Sequence, residues 1–424
     1  MRGVPSPHID VLFAAYGGGH VTMLHPVAKM LAADGISTGF LALTTAQAYL
    51  ERHGVDYFGF AELEGATDEN VLAWGRELAG EEPTNPVVLH KESIAYHGLN
   101  FRDLVSLKGE SGAREFYKQH GRQGFMPVPT MEALLRRLRP KLVVATNSPR
   151  SERALFVAAR NLGIPALCLV DLFAIHEAKW ISEPRYAARI CVLNEHVAQH
   201  FIAQGADPGT LAITGNPAFD PLSDPQTREA GKRLRRTRGY ADGEKVILWA
   251  SNVEPERHPF TGAQGDPTLP RRIEAELRRI VASEPHWHLI VRYHPSENVE
   301  FQPSPTVSNS PRTEDLHALI HAVDAVVVAS STVGLEAHLA GQPVVSLDMS
   351  VFTDDAPYSR MGISRGVTDL TGLRSALREA MESEGLPADP HRTGTSTAAV
   401  CREIKSLLAR HRDDGLPLSN TRSI

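Results

Sequence analysis

The sequence predicts an α/β fold with two Rossmann-like, doubly wound parallel-sheet domains. Through most of the 424 residues, apolar runs of strand length alternate with amphipathic segments of helical period. Glycine and proline interrupt this alternation around residues 215–225, and it then begins again. Polar residues follow several of the apolar runs, at the carboxyl ends of the predicted strands, where parallel sheets bind their ligands.

Composition excludes several functional classes. The formal net charge of −6 and the pI near 6.3 give no global basic field for nucleic acid. No apolar run approaches the roughly 18 residues of a membrane span, and the first residues lack the apolar core of a secretory signal. We therefore expect a cytoplasmic protein, with peripheral membrane contact left open. The three cysteines, Cys168, Cys191 and Cys401, lack metal-ligand spacing and are expected to be buried apolar groups.

The first predicted strand, Ile9 to Tyr16, ends in three glycines and His20, which begin a helix. The GxGxxG spacing of a dinucleotide site is absent. Gly18 and Gly19 allow the backbone to pass close to a ligand or to a neighbouring helix. His20 has two interpretations. It is either a base for an acceptor hydroxyl, since the ordinary pKa of histidine is near ~6.5, or a residue that caps or packs beside the turn.

Further strands are predicted at residues 38–43 and 55–60, after which the pattern weakens over residues 66–129. Short helices are predicted inside this insertion at 71–79 and 112–120. Insertions into an alternating α/β pattern usually carry substrate-specific loops, so we expect this one to do the same.

The alternation resumes with a strand that ends at Thr146. The turn after it carries four polar residues, Asn147, Ser148, Arg150 and Ser151, and the next strand ends at Asp171. The carboxyl ends of parallel strands meet at one edge of a sheet. We therefore expect Asn147, Ser148, Arg150 and Ser151 to face the same cleft as His20, with Asp171 as a further candidate for this cleft.

A cluster of helix breakers, Gly215, Pro217, Pro221 and Pro225, marks the expected domain boundary. We assign residues 1–214 to the first domain and residues 215–424 to the second. The last predicted helix, at 398–410, is a candidate to pack back on the first domain.

Two strand ends in the second domain carry polar residues. One strand ends at Ser251 and Asn252, and another leads into Arg292 and His294, which lie on the same side of the chain. A guanidinium and an imidazole together suit a pyrophosphate or a nucleotide. The alternative is an ordinary turn at a strand end.

Residues 324–348 form a predicted strand, hydroxyl-rich turn, helix and second strand. Ser330, Ser331 and Thr332 stand where the helix begins, and Glu336 lies one turn further on. Unpaired N–H groups and a partial positive charge at a helix start favour phosphate. The alternative is that these hydroxyls only cap the helix.

Four segments together resemble the two-domain GT-B glycosyltransferases. They are GGGHVTMLHPVAKMLAADG, ITGNP, RYHP and SSTVGLEAHLAGQPVV. The RYHP segment is similar to the HP motif of capsule-type polymerases, sialyltransferases and glycerophosphotransferases that use cytidine-activated donors. The resemblance covers residues 9–348 apart from the insertion at 66–129, and its relatives include the UDP-GlcNAc 2-epimerases.

The resemblance implies a role for each matched residue. Ser330, Ser331 and Thr332 would hold the donor phosphates, and Glu336 would bind the ribose hydroxyls. The leaving phosphate would be neutralised by Arg292 and His294, and His20 would be the general base or would position the acceptor. The EX7E motif of many retaining members is absent, and the glycine loop lacks the small polar pair of some inverting ones. The stereochemical outcome and the role of His20 therefore stay open.

We expect a glycosyltransferase that moves a sugar from a nucleotide-activated donor to a hydroxyl of a glycan, a lipid-linked acceptor or a small molecule. The first domain would bind the acceptor and the second the donor, on either side of a cleft, with no metal and no separate cofactor. One alternative is a non-hydrolysing 2-epimerase, for which only Asp171, Glu183 and Asp348 offer carboxylates. A second alternative is a non-catalytic nucleotide-sugar-binding subunit of another transferase. The sequence leaves the base, sugar, acceptor and oligomeric state open.

Overall fold

The computed structural model describes residues 4–80, 87–382 and 394–413. The chain divides into two compact units. Unit 1 comprises the chain up to Ala218 together with the chain from Thr395 onward, and unit 2 comprises Phe219–Gly394. The predicted boundary between residues 214 and 215 differs from this division, because Ala218 packs against the core of unit 1.

Unit 1 contains a six-stranded parallel sheet with the strand order β2-β1-β3-β4-β5-β6. Its strands are β1 (Val11–Ala15), β2 (Thr38–Ala42), β3 (Leu142–Thr146), β4 (Ala166–Leu169), β5 (Arg189–Val192) and β6 (Leu211–Ile213). The apolar side chains of β1 are fully buried because helices cover both faces of a parallel sheet. The strand order reverses between β1 and β3, which is the point where such sheets bind ligands.

Eight helices belong to the described part of unit 1 before residue 218. They are α1 (Gly19–Ala33), α2 (Ala46–Arg52), α3 (Glu69–Gly80), α4 (His90–His120), α5 (Val128–Leu138), α6 (Ser151–Asn161), α7 (Ala178–Ile181) and α8 (Glu195–Ala203). The predicted strand at residues 55–60 is wrong. Only Phe58 pairs, with Leu41, because Phe60–Glu62 turns into a 3-10 helix that Glu62 closes by accepting from the N–H of Gly59 at 2.8 Å.

The insertion at 66–129 is built mainly from the helix pair α3 and α4. A Cβ on Gly75 would lie 2.2 Å from the carbonyl oxygen of Ile94, and a Cβ on Gly98 would lie 2.1 Å from that of Val71. The two helices therefore pack backbone against backbone, which only glycine allows. Helix α4 spans 31 residues and bends at Gly109, so the short helix predicted at 112–120 is only its last part.

Unit 2 contains a second six-stranded parallel sheet with the order β12-β11-β10-β7-β8-β9. Its strands are β7 (Lys245–Ala250), β8 (Trp287–Arg292), β9 (Val307–Asn309), β10 (Ala325–Val328), β11 (Val344–Leu347) and β12 (Arg365–Val367). Its helices are α9 (Pro225–Thr237), α10 (Leu269–Ser283), α11 (Leu316–Ile320), α12 (Val333–Ala340) and α13 (Leu373–Glu382). The order reverses between β7 and β10, so the prediction of two doubly wound sheets is confirmed.

The last helix, α14 (Ser396–Asp413), belongs to unit 1. Val400, Ile404 and Leu408 of this helix are part of the same buried core as Val27 and Leu31 of α1. Residues 395–413 therefore complete the core of unit 1, although they follow unit 2 in the chain. Among the described residues, no helix is both long enough and apolar enough to cross a membrane.

Candidate active site

The polar residues of unit 1 gather where its strand order reverses. Strand β1 ends at Ala15, and Gly18 then adopts a φ of +69°, a left-handed conformation that glycine takes without steric cost. This turn lets α1 begin at Gly19 and places His20 in the first helical turn. Strand β3 ends at Thr146 on the neighbouring side of the reversal point.

The imidazole of His20 is hydrogen-bonded at both ring nitrogens. Its Nδ1 lies 2.8 Å from Oγ1 of Thr146, and its Nε2 lies 3.2 Å from Oγ of Ser148. Thr146 in turn donates to Oε2 of Glu152 at 2.5 Å. The three side chains form a continuous chain from imidazole to hydroxyl to carboxylate, which we call the His20 relay.

Glu152 lies in the first turn of α6 and is completely buried. Its carboxylate accepts three hydrogen bonds, from Oγ1 of Thr146, from the N–H of Tyr16 at 3.0 Å and from the N–H of Ser148 at 3.4 Å. Burial raises the pKa of Glu152, while His20 and the three donors oppose that rise. The carboxylate of Glu152 thus accepts hydrogen bonds from residues at the carboxyl ends of both β1 and β3.

The hydrogen-bond pattern assigns the tautomer of His20. The single hydroxyl proton of Thr146 goes to the carboxylate, so the same oxygen accepts from Nδ1–H of His20. Nε2 lies 3.2 Å from Oγ of Ser148 on the other side of the ring. An imidazole oriented through Nδ1–H, with Nε2 directed to a hydroxyl, has the arrangement of a general base.

Two further predicted residues lie in the same region. Oδ1 of Asn147 accepts from the N–H of Asp171 at 2.7 Å, which ties the ends of β3 and β4 together. A Cβ on Gly19 would lie 3.6 Å from Oδ2 of Asp171. Burial raises the pKa of Asp171, and the charge of His20 opposes that rise. The side chains of Asn147, Ser148 and Asp171 are thus close to the start of α1, where His20 lies.

In unit 2, Ser330 and Ser331 follow β10, and Thr332 is the N-cap residue of α12. The backbone carbonyl of Ser331 accepts a hydrogen bond from the hydroxyl of the fully buried Tyr358 at 2.9 Å. Oγ of Ser331 accepts only a long hydrogen bond, 3.4 Å, from the N–H of Val333. The start of α12 is therefore anchored through its backbone, and Thr332 is exposed and makes no side-chain cap hydrogen bond.

Glu336 is buried one helical turn into α12 and has an imidazole as its partner. Its Oε2 lies 3.2 Å from Nε2 of His317 on α11. A ribose hydroxyl bound by Glu336 would share the carboxylate with this imidazole. His317 was not singled out by sequence reasoning, because it lies on another helix with no motif around it.

Arg292 and His294 engage their own chain. The guanidinium of Arg292 donates to Oγ of Ser310 at 2.9 Å and to the carbonyl of Glu314 at 3.0 Å, which fixes the loop after β9. Nδ1 of the exposed His294 accepts from the N–H of Ser296 at 3.1 Å. Burial lowers the pKa of Arg292, while nearby carboxylates including Glu336 oppose this. Arg292 is the last residue of β8 and His294 follows the strand. Among the described residues, the hydrogen bonds of Arg292 and His294 go to the loops after β8 and β9 and not to Ser330, Ser331 or Thr332.

Ser251 and Asn252 follow β7, beside the reversal point of the second sheet. Oγ of Ser251 donates to Glu297 at 3.0 Å and accepts from Arg271 at 2.8 Å. Asn252 is 7 % exposed, and neither its amide nitrogen nor its amide oxygen has a hydrogen-bond partner among the described residues. A buried amide without partners is costly, so Asn252 is a candidate ligand-binding residue.

Comparisons with known proteins add to this geometry. No protein-family model and no curated protein matches the sequence. Among solved structures, the chain is similar to the UDP-GlcNAc 2-epimerase from Neisseria meningitidis bound to UDP-GlcNAc, with 12 % identity and a TM-score of 0.61 over 94 % of this chain and 100 % of that one. A putative UDP-N-acetylglucosamine 2-epimerase from Listeria monocytogenes gives 14 % identity and a TM-score of 0.59, over 94 % and 96 % of the two chains.

Glycosyltransferases are also similar. The calicheamicin glycosyltransferase CalG4 gives 16 % identity and a TM-score of 0.52 over 98 % of both chains. At such identities the similarity establishes the fold, so the chain has the GT-B-like fold that the sequence motifs predicted. This fold is common to the epimerases and to the transferases, and it leaves the choice between them to the site.

Proposed function

We propose that the protein is a glycosyltransferase that uses a nucleotide sugar as its donor and His20 as its general base. The observation that carries this proposal is the His20 relay. Deprotonating an acceptor hydroxyl needs a base whose lone pair is exposed to the substrate and whose other nitrogen is held. Nδ1 of His20 is held by Thr146 and Glu152, and Nε2 has the hydroxyl of Ser148 as its partner at 3.2 Å, a position that an acceptor hydroxyl would take over.

In the proposed reaction, Nε2 of His20 takes the proton of the acceptor hydroxyl. The hydroxyl oxygen forms a bond to the anomeric carbon of the donor, and the bond from that carbon to the donor phosphate breaks. The nucleotide leaves with the bonding electron pair. The positive charge that develops on His20 is stabilised by the buried carboxylate of Glu152 through Thr146.

Unit 2 offers the features expected for the donor nucleotide. The start of α12 presents Ser330, Ser331 and Thr332 with helix N–H groups and a partial positive charge, which suits phosphate. Glu336 offers a carboxylate for ribose hydroxyls, and Asn252 offers an amide without partners. We propose that these residues bind the donor without a metal ion.

The test is His20→Ala, compared with wild type in a donor panel. A thermal-shift screen of UDP, TDP, GDP, CDP and CMP first identifies the nucleotide. Release of that nucleotide from its sugar conjugates is then followed, with water or an added alcohol as the acceptor. We expect His20→Ala to lose on the order of 10²–10⁴-fold in kcat, as for a missing general base, while its nucleotide affinity stays within about twofold of wild type.

A matched control is His196→Ala, which removes an exposed histidine from the first turn of α8. It should leave both quantities unchanged. Wild-type turnover by His20→Ala would reduce His20 to a packing residue and contradict the proposal.

A second candidate function is a nucleotide-sugar 2-epimerase. Two observations favour it: the TM-scores of the epimerases given above exceed that of CalG4, and Asp171 places a half-buried carboxyl beside the start of α1. Of the three carboxylates that the sequence offered for this reaction, Glu183 is exposed near Arg153, and Asp348 accepts from Ser346 and Ser359. Asp171 is therefore the residue on which the epimerase candidate depends.

A further inference from the structure

A half-buried arginine without a counter-ion lies next to the His20 relay. Arg150 is the N-cap residue of α6, between Ser148 and Glu152 of the relay region. Its φ is +66°, in the left-handed region that a non-glycine residue occupies at a cost of roughly 1 kcal/mol or more. The chain therefore accepts backbone strain at this position.

The guanidinium of Arg150 has an aromatic ring and an amide as partners among the described residues. It lies 5.4 Å from the centre of the Tyr16 ring, and its Nη1 donates to Oε1 of Gln123 at 2.7 Å. Its Nε is buried and has no acceptor. Among the described residues, no carboxylate lies within ion-pair distance of Arg150.

Two tyrosines surround the same cation. Tyr96 on α4 is buried, and burial raises its pKa well above the ordinary value, with Tyr16 adding to the rise and Arg150 opposing it. The phenol of Tyr96 is therefore neutral at physiological pH. Two other arginines of unit 1 have carboxylate partners: Arg153 lies 3.8 Å from Glu183, and Arg189 lies 2.8 Å from Glu403.

A cation that is partly removed from water and has no carboxylate nearby is an unfavourable arrangement unless a ligand supplies the negative charge. A guanidinium offers two parallel N–H donors, which match the two oxygens of a carboxylate or a phosphate. Tyr16 connects this cation to the relay, since its N–H donates to Glu152 and its hydroxyl donates to Ser151 at 3.1 Å.

We propose that Arg150 binds an oxyanion group, phosphate or carboxylate, carried by the acceptor substrate. That the acceptor is the molecule bound there rests on the proposed transferase function, whereas the anion site itself does not. Gln123 and Tyr96 come from the insertion at residues 66–129, so this insertion helps to shape the anion site. The acceptor is accordingly an anionic hydroxyl compound.

The test is isothermal titration of the full chain with inorganic phosphate and, separately, with acetate, at fixed ionic strength. Arg150→Gln should weaken phosphate binding by about tenfold or more, because a hydrogen-bonded charge is lost. Arg150→Lys should recover part of the affinity. Arg153→Gln removes another arginine of α6 that stacks on an aromatic ring but already has a carboxylate, and it should bind phosphate as wild type does. The ratio of phosphate to acetate affinity in wild type identifies which oxyanion the acceptor carries.

The proposal would be overturned if Arg150→Gln bound phosphate as tightly as wild type does and also bound acetate as tightly as wild type does. A matching loss of affinity for the nucleoside diphosphate would also overturn it, because the guanidinium would then bind the donor. Phosphate binding requires no turnover. A protein that transfers no sugar but loses phosphate affinity on Arg150→Gln would contradict the transferase function and leave the anion site supported.

Discussion

At the scale of single residues, the chemistry of unit 1 depends on where Glu152 is buried. A carboxylate in the first turn of a helix is common on protein surfaces, where it interacts with the helix dipole. Here the same position is fully buried and receives three hydrogen bonds. Because Thr146 donates its hydroxyl proton to this carboxylate, its oxygen accepts from Nδ1 of His20, and Nε2 is left to the hydroxyl of Ser148.

Asn252 allows a prediction that separates binding from folding. Both polar atoms of its amide are buried without partners, which costs a free protein roughly 1–3 kcal/mol. Asn252→Ala should therefore leave the free energy of unfolding unchanged or raise it. The same substitution should weaken nucleotide binding by about tenfold, because one hydrogen bond to the ligand is lost. Urea unfolding and nucleotide titration measure the two quantities.

The matched control for Asn252 is Asn147→Ala. The amide oxygen of Asn147 already accepts from the N–H of Asp171, so its loss should lower the free energy of unfolding by about 1 kcal/mol. If Asn252→Ala lowers stability as much as Asn147→Ala does and binds nucleotide normally, Asn252 is a structural residue.

The residues that sequence reasoning found are those in motifs. His20 follows a glycine turn, and Ser331 and Glu336 belong to a recognisable strand–helix unit, so position along the chain was enough to single them out. Glu152, Tyr96 and His317 were missed, because their importance comes from burial and from partners distant in sequence. The partnering of Arg292 with its own loop was missed for the same reason.

At the scale of elements, the amino ends of β1, β2 and β3 are joined by one carboxylate. Asp10 accepts from the N–H and hydroxyl of Ser37 before β2, and from Nζ of Lys141 before β3 at 2.7 Å. Burial opposes the ionisation of Asp10, but Lys141 and Ser37 outweigh it and lower the pKa to about 2. Three neighbouring strands thus share a charged hydrogen-bond centre at the end of the sheet opposite the His20 relay.

This centre predicts how stability depends on pH. Because the folded pKa of Asp10 lies below the unfolded value of 3.8, its contribution is present above that value and is lost as the pH falls toward about 2. Asp10→Asn should lower the free energy of unfolding by about 2 kcal/mol near pH 7. The difference from wild type should shrink steadily below pH ~4 in urea unfolding followed by circular dichroism.

The control for Asp10 is Asp34→Asn, which removes an exposed carboxylate paired with Lys405 in the same unit. Its effect should stay below about 1 kcal/mol at any pH, as for surface ion pairs. A difference between wild type and Asp10→Asn that is the same at neutral and acid pH would refute the assigned role.

Most elements could be predicted from sequence, and the failures have physical causes. Buried parallel strands are continuous apolar runs, so β1, β3, β7 and β10 were identified directly. Helix α4 was underestimated, because its buried positions include polar residues such as Glu92, Asn100 and Asp103 that mask the apolar period. Hydrophobic patterning alone does not detect a helix that buries carboxylates.

At the scale of the whole molecule, the repeated sheet topology could be predicted, and the return of the chain to unit 1 was expected only as a candidate. Each unit has one reversal point, and each collects polar residues at it. The helix expected at 398–410 was a candidate to pack back on the first domain, and the chain from Thr395 onward belongs to unit 1. An amphipathic helix can cover any apolar surface, so the pattern of α14 did not show that Val27 and Leu31 of α1 share its core.

We propose above that this protein breaks the bond at the anomeric carbon of a nucleotide sugar, with His20 as the base. The most direct measurement is NMR of the protein with a panel of nucleotide sugars, including UDP-GlcNAc, in D₂O. We predict release of the nucleotide that requires His20, and no deuterium at C2 of the sugar. Conversion of a donor to its C2 epimer with deuterium at C2 and no nucleotide release would contradict the claim, because an epimerase must break the C2–H bond and a transferase leaves it intact.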